Sequence, residues 1–119
     1  MDLIFNLIFV ALSVGLGAIG WLAPRYTMSL LGLTDGSVRG MGTSEIRAAS
    51  GALFVLVGVG ALIMNTPAGY AMIGFVWLGG AMGRVTSGVL EGWTQRKFGF
   101  FVTELVVGVG ALAVNWPHL

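Results

Sequence analysis

Between Leu3 and Trp116 the chain holds four apolar runs: residues 3–22, 44–65, 69–91 and 98–116. Each is close to the ~20 residues that an α-helix needs to cross a bilayer's hydrocarbon layer. Nothing else constrains the fold as strongly. In lipid every backbone N–H and C=O must find its partner inside the segment, so runs of this length become helices. The links at Thr66–Gly69 and Gly92–Lys97 are short, which forces the helices they join to be antiparallel. The expected fold is all-α, a four-helix transmembrane bundle forming one integral membrane domain over residues 1–119. Charged residues are only 9% of the chain, against about 25% in a soluble domain. That is too few to cover a water-facing surface.

The first run has no Lys or Arg before it and no A-x-A-like site after it, and reads as a retained helix, not a signal peptide. Pro24 stops it. The long connection 23–43 carries Arg25, Asp35 and Arg39 around the apolar piece Tyr26–Leu33, which reads as a short amphipathic turn or helix at the membrane interface. Arg25 and Arg39, with Arg96 and Lys97, put all the loop basic charge on one side. The positive-inside rule makes that side cytoplasmic and leaves both termini outside.

The sequence also repeats itself. Val57–Asn65 is VGVGALIMN, and Val107–Asn115 is VGVGALAVN, 50 residues later. Gly17–Gly20 resembles Gly80–Gly83 more loosely. Two tandem helical hairpins of the same orientation, a parallel repeat, follow from this pattern.

Several chemistries are excluded. The formal net charge of +1 argues against a nucleic-acid partner. With no cysteine there is no disulfide or thiolate site, and the single histidine, His118, cannot build a histidine-rich metal or haem centre. No nucleophile–base–orienter set and no phosphate loop appears, so no catalytic residue, metal ligand or resident cofactor is assigned.

The polar residues inside the runs stand out, because a charge in hydrocarbon costs about 2.5–3.5 kcal/mol on the insertion scale and needs a partner. Arg84 lies seven positions before Glu91, and Glu104 lies seven positions after Lys97. Counted from the same side, Arg84 and Glu104 reach similar depth on adjacent helices and are expected to pair. Under the repeat they replace Trp21 and Phe54. Such a pair either fixes helix register only, belongs to a ligand, proton or ion site, or meets another subunit. Arg84, Ser87 and Glu91 share one helix face, which Gly80 and Trp77 extend. Glu45 sits in a first helical turn, where the helix dipole favours a carboxylate. Arg47 aligns with Ser44, Ser50 and Gly51 on a small polar face suited to the interior. Gly79, Gly83 and Ser87 form a small-residue stripe read as helix packing, as do Gly58/Gly60 and Gly108/Gly110. Trp21, Trp93 and Trp116 read as interface anchors, whereas Trp77, mid-helix, could wall a cavity. Taking Arg47, Arg84 and Glu104 as the deep set leaves one unbalanced positive charge. That predicts a cavity open to the cytoplasmic leaflet, holding water, an anion, or a lipid or quinone-like head group.

The stretch GTSEIRAASGALFVLVGVGAL, then LGGAMGRVTSGVLEG, then a glutamate in the last helix resembles the DUF4345 family, with Glu45, Arg47, Gly51, Gly83, Arg84, Ser87, Glu91, Gly92 and Glu104 carrying the likeness. The family pattern often has Asp-Gly where this chain has Glu91-Gly92. The four-helix layout is also similar to that of DoxX-type proteins, without their motifs. The resemblance implies a small bacterial membrane protein, in the cytoplasmic (inner) membrane, of unassigned function. The leading expectation is binding or transport of an amphipathic small molecule, lipid or ion at the Arg47/Arg84/Glu104 cluster, with Ser87, Glu91, Glu45 and Trp77 around it. The second is a non-catalytic accessory subunit of a larger, energy-transducing membrane complex or a homo-oligomer. The third is a membrane enzyme using Glu104 as acid–base.

Overall fold

The computed structural model describes residues 2–119; residue 1 of the expected domain lies outside the described residues. Five helices follow one another: α1 (Leu3–Leu22), α2 (Pro24–Leu31), α3 (Met41–Met64), α4 (Pro67–Glu91) and α5 (Gln95–Asn115). A 3₁₀ turn, Trp116–His118, closes the chain. α1, α3, α4 and α5 are long and apolar enough to cross a membrane. Their outer faces carry residues such as Ile63 and Leu90, 79% and 76% exposed, an arrangement that lipid tolerates and water does not.

Three of the long helices start earlier than the apolar runs do. α4 begins at Pro67, because Thr66 accepts the Gly69 N–H at 3.1 Å and proline suits the first helical position. α5 begins at Gln95, because Thr94 accepts the Lys97 N–H at 3.1 Å. α3 begins at Met41, after Gly40 in the left-handed region (φ 83°). Capping side chains, not hydropathy, set these starts. At α3 the cap comes from outside the helix. The Asp35 carboxylate accepts the Thr43 N–H at 3.0 Å and the Gly40 N–H at 3.2 Å. The Gly40 N–H first, then the Thr43 N–H, hold the Asp35 carboxyl below its ordinary value of 3.8. The amphipathic helix expected within 26–33 is α2; it starts at Pro24 and is ended by Gly32 in the left-handed region (φ 72°).

α1 and α3 form the first hairpin, α4 and α5 the second, and each pair is in far closer contact than the two hairpins are with one another. The repeat shows in the packing. A Cβ on Gly58 of α3 would lie 2.7 Å from Val14 of α1, and one on Gly108 of α5 would lie 2.7 Å from Leu78 of α4. Ala61 and Ala111, the next repeat partners, are both buried. Gly110 packs too, against Phe9 of α1, whereas the expectation for Gly60, Gly79 and Gly83 needs correction. Gly79 and Gly83 are exposed, and a Cβ on either, or on Gly60, would meet nothing within 4 Å. The close helix contact instead uses Gly17, Gly20 and Gly51 between α1 and α3, and Gly74 with Gly108 between α4 and α5.

The hairpins share their buried core at the end that carries the termini; at the other end Arg96 at the start of α5 donates to the Ser29 carbonyl of α2 at 3.5 Å. Val10, Ala61, Tyr70, Ile73, Trp77, Val107 and Ala111 form that core. Beyond it Asn6 and Asn115, both fully buried, exchange side-chain hydrogen bonds at 3.0 and 2.7 Å and tie α1 to α5. Toward the other end this core gives out, and a cleft opens between the hairpins.

Candidate functional site

Arg84 of α4 and Glu104 of α5 meet in that cleft. The Arg84 Nη2 and Nε donate to Glu104 Oε1 at 3.1 and 3.3 Å. Both bonds fall on one oxygen. The other, Oε2, is buried and has no hydrogen-bond partner among the described residues. It occupies the hollow left by Gly80: a Cβ there would stand 2.9 Å from Oε2. Gly80 and Arg84 are one turn apart on α4, so one residue makes room for the carboxylate and the next turn supplies its partner. The Arg84 guanidinium carbon lies 5.2 Å from the centroid of the Phe100 ring, a cation–π contact. The pair is lopsided in exposure: the Arg84 side chain is 35% exposed and that of Glu104 14%. Both residues line the cleft, the guanidinium being the more exposed member.

The cleft has a volume of about 550 Å³, within the usual size of a small-molecule site. Leu16 and Ile19 of α1 form one wall, and Trp77, Gly80 and Arg84 of α4 another. Phe100, Thr103 and Glu104 close the α5 side, and Tyr26 and Leu30 of α2 lie across the open end. The α3 wall is unusual. Residues Ala48–Ala52 form a π-helical turn, and Ala49 and Ser50 of that turn, with Phe54 after it, face the cleft. A π-turn carries one more residue than an α-turn, which resets the phase of the helix beyond it, and such turns recur at functional sites. It is held against α1 by glycine: a Cβ on Gly51 would be 2.6 Å from the Trp21 backbone nitrogen.

At the inner limit of the cleft Trp77 donates its indole N–H to Ser13 at 3.2 Å, and Ser13 donates to the Phe54 carbonyl at 2.8 Å. The Phe54 and Trp77 rings lie 4.8 Å apart. This bridge crosses α4, α1 and α3 and separates the cleft from the core.

Of the residues singled out in the sequence, Arg84, Glu104 and Trp77 come together here. Arg47 does not. It is exposed, and its Nη1 donates at 2.7 Å to the Trp21 carbonyl, capping the C-terminal end of α1. The expected triple cluster, with one unbalanced positive charge, is therefore not formed; Arg84 and Glu104 balance one another. Glu45 and Glu91 are exposed and outside the cleft, and Ser87, half-buried on the Arg84 face, does not line it either. Ser50, expected on a polar face turned to the interior, lines the cleft without Arg47, and Phe54 and Phe100 line it without any sequence expectation that they would. A signal for them was available. Ser50 and Phe54 are one turn apart on α3, Phe100 and Glu104 one turn apart on α5, and the 50-residue repeat maps the first pair onto the second.

A family model described as a domain of unknown function (DUF4345) matches residues 2–115. The chain belongs to the DUF4345 family. The match takes in all five helices of this DUF4345 protein, including the Arg84–Glu104 pair and every wall of the cleft. No curated protein and no solved structure matches it.

Proposed function

We propose that this DUF4345 protein is a multi-pass membrane protein that binds an amphipathic small molecule in the cleft between its two hairpins, for carriage or exchange with the bilayer. One observation carries the reading: a cavity of about 550 Å³, apolar on most of its walls, has among its described lining residues a few hydroxyls and one charged feature, the Arg84–Glu104 pair. An apolar pocket with a few convergent polar groups is the usual form of a small-molecule site. The rim supports entry from lipid, since Leu16, Ile19, Leu30 and Tyr26 are all exposed and three of the four are aliphatic. In the same reading the protein lies in the cytoplasmic membrane of a bacterium with the α2 side inward. An impermeant thiol label on intact spheroplasts should reach a cysteine at Thr66 and not one at Gln95; the reverse pattern overturns the orientation.

The binding reading is tested by native mass spectrometry of the gently extracted full chain. An adduct of lipid-like mass is expected, and it should disappear in Thr103→Trp, which fills the cleft from an exposed position. Retention of the adduct in that variant, with helicity unchanged, would place the occupant elsewhere and end the proposal. A second reading rests on Gly79 and Gly83, whose exposed, unfilled flank of α4 suits close approach of another transmembrane helix. It makes the protein a subunit of a homo-oligomer or larger complex, and Gly83→Leu should then lower its assembly state.

A further inference from the structure

We infer that the occupant of the cleft carries an uncharged head group with a carbonyl acceptor, and that Arg84 is the residue that reads it; this rests on the binding reading above. Three observations converge.

The first is charge. Glu104 already balances Arg84, and Arg47, the other arginine expected at the site, is spent on the Trp21 carbonyl. Among the described cleft-lining residues no further charged side chain is present. The site is neutral as built. An anionic head group would bring an unbalanced negative charge into an apolar pocket, and a cationic one would face the guanidinium.

The second is which atoms are on offer. Guanidinium has five N–H groups. The Nε–H and one Nη2–H are bound to Oε1, and Nη1 has no acceptor among the described residues. The carboxylate offers nothing in return: Oε1 takes both bonds, and Oε2 is sealed against Gly80. What the charged pair presents to the cleft is therefore a donor, beside the hydroxyls of Tyr26, Thr27, Ser50 and Thr103. The complementary group is a hydrogen-bond acceptor without charge, which in a membrane-soluble molecule means a carbonyl of a quinone ring or of a neutral acylglycerol ester.

The third is shape. Phe100 lies under the guanidinium at 5.2 Å, and Phe54 and Trp77 form an aromatic corner at the inner limit of the cleft. A flat carbonyl group at the guanidinium would have these rings beside it, with its apolar tail directed past Leu16, Ile19 and Leu30 to the rim.

The test compares three probes by native mass spectrometry of the full chain in detergent micelles: a decyl-tailed benzoquinone, monooleoylglycerol, and hexadecyl phosphate, which is anionic. The unmodified protein should hold at least one of the neutral probes about ten-fold more tightly than the phosphate. The neutral probe that binds better identifies the source, ring or ester. In Glu104→Gln the guanidinium is no longer balanced, and the preference should move toward hexadecyl phosphate by about ten-fold. Equal or tighter binding of the phosphate by the unmodified protein overturns the inference and leaves the binding reading standing. Failure of all three probes to bind in the cleft, judged by insensitivity to Thr103→Trp, overturns the binding reading itself. The comparison on the unmodified chain holds even if Glu104→Gln does not fold.

Discussion

Replacing Arg84 by leucine removes the hydrogen-bond partner of a carboxylate that is 14% exposed and already has one oxygen without a bond. Breaking a buried pair from one side costs about 3–5 kcal/mol, because the remaining charge is stranded. Arg84 is about one-third exposed, which places the expected loss near the lower end, about 3 kcal/mol. The reverse change is gentler. In Glu104→Leu the guanidinium keeps its contact with the Phe100 ring at 5.2 Å and its opening to the cleft. A cation–π contact contributes about 0.5–2 kcal/mol, so the loss should be about 1–2 kcal/mol. The double replacement strands nothing and should cost about 1 kcal/mol, giving a coupling of about 2–3 kcal/mol. The measurement is reversible unfolding in mixed micelles followed by far-ultraviolet circular dichroism, for all four proteins of the cycle. Additive losses would show that the two side chains do not act together. A larger loss for Glu104→Leu than for Arg84→Leu would refute the assignment of the carboxylate as the buried member.

Four other outcomes follow from the fold. Asn6→Leu or Asn115→Leu alone leaves a buried amide without its partner and should cost about 1–2 kcal/mol, with the double replacement recovering most of it in the same unfolding assay. Gly51→Ala forces a methyl to within 2.6 Å of the α1 backbone and should cost about 1–3 kcal/mol. Gly83→Ala, where a Cβ meets nothing within 4 Å, should leave the stability of the isolated protein unchanged. Finally, Asp35 gives the loop before α3 an acid-sensitive clasp. Its folded pKa is depressed, so its stabilising effect is fully present above the ordinary 3.8 and is lost as pH falls through the lower folded value. Hydrogen-exchange protection of the Gly40 and Thr43 amides should fall over that range. Asp35→Ala should lack that protection at all pH values, and equal protection in the two proteins would refute the clasp.

The number and order of the long helices, and the meeting of Arg84 with Glu104, were legible in the sequence. Both are matters of position along a helix axis. Each residue advances the chain by about 1.5 Å, so counting from the loops yields depth. A charge at depth must find another at the same depth. The position of Arg47, the exposure of Gly79 and Gly83, and the Asn6–Asn115 bond are matters of rotation about the axis, and these only the tertiary structure decided. In a soluble helix the contrast between apolar and polar faces reveals the rotation. Here the lipid and the core are equally apolar, so hydropathy cannot say which side of α4 faces α5 and which faces the bilayer. The π-turn at Ala48–Ala52 adds to this: it resets the phase of α3, so that Arg47, which precedes the turn, bonds the end of α1, while Ser50 and Phe54 face the cleft.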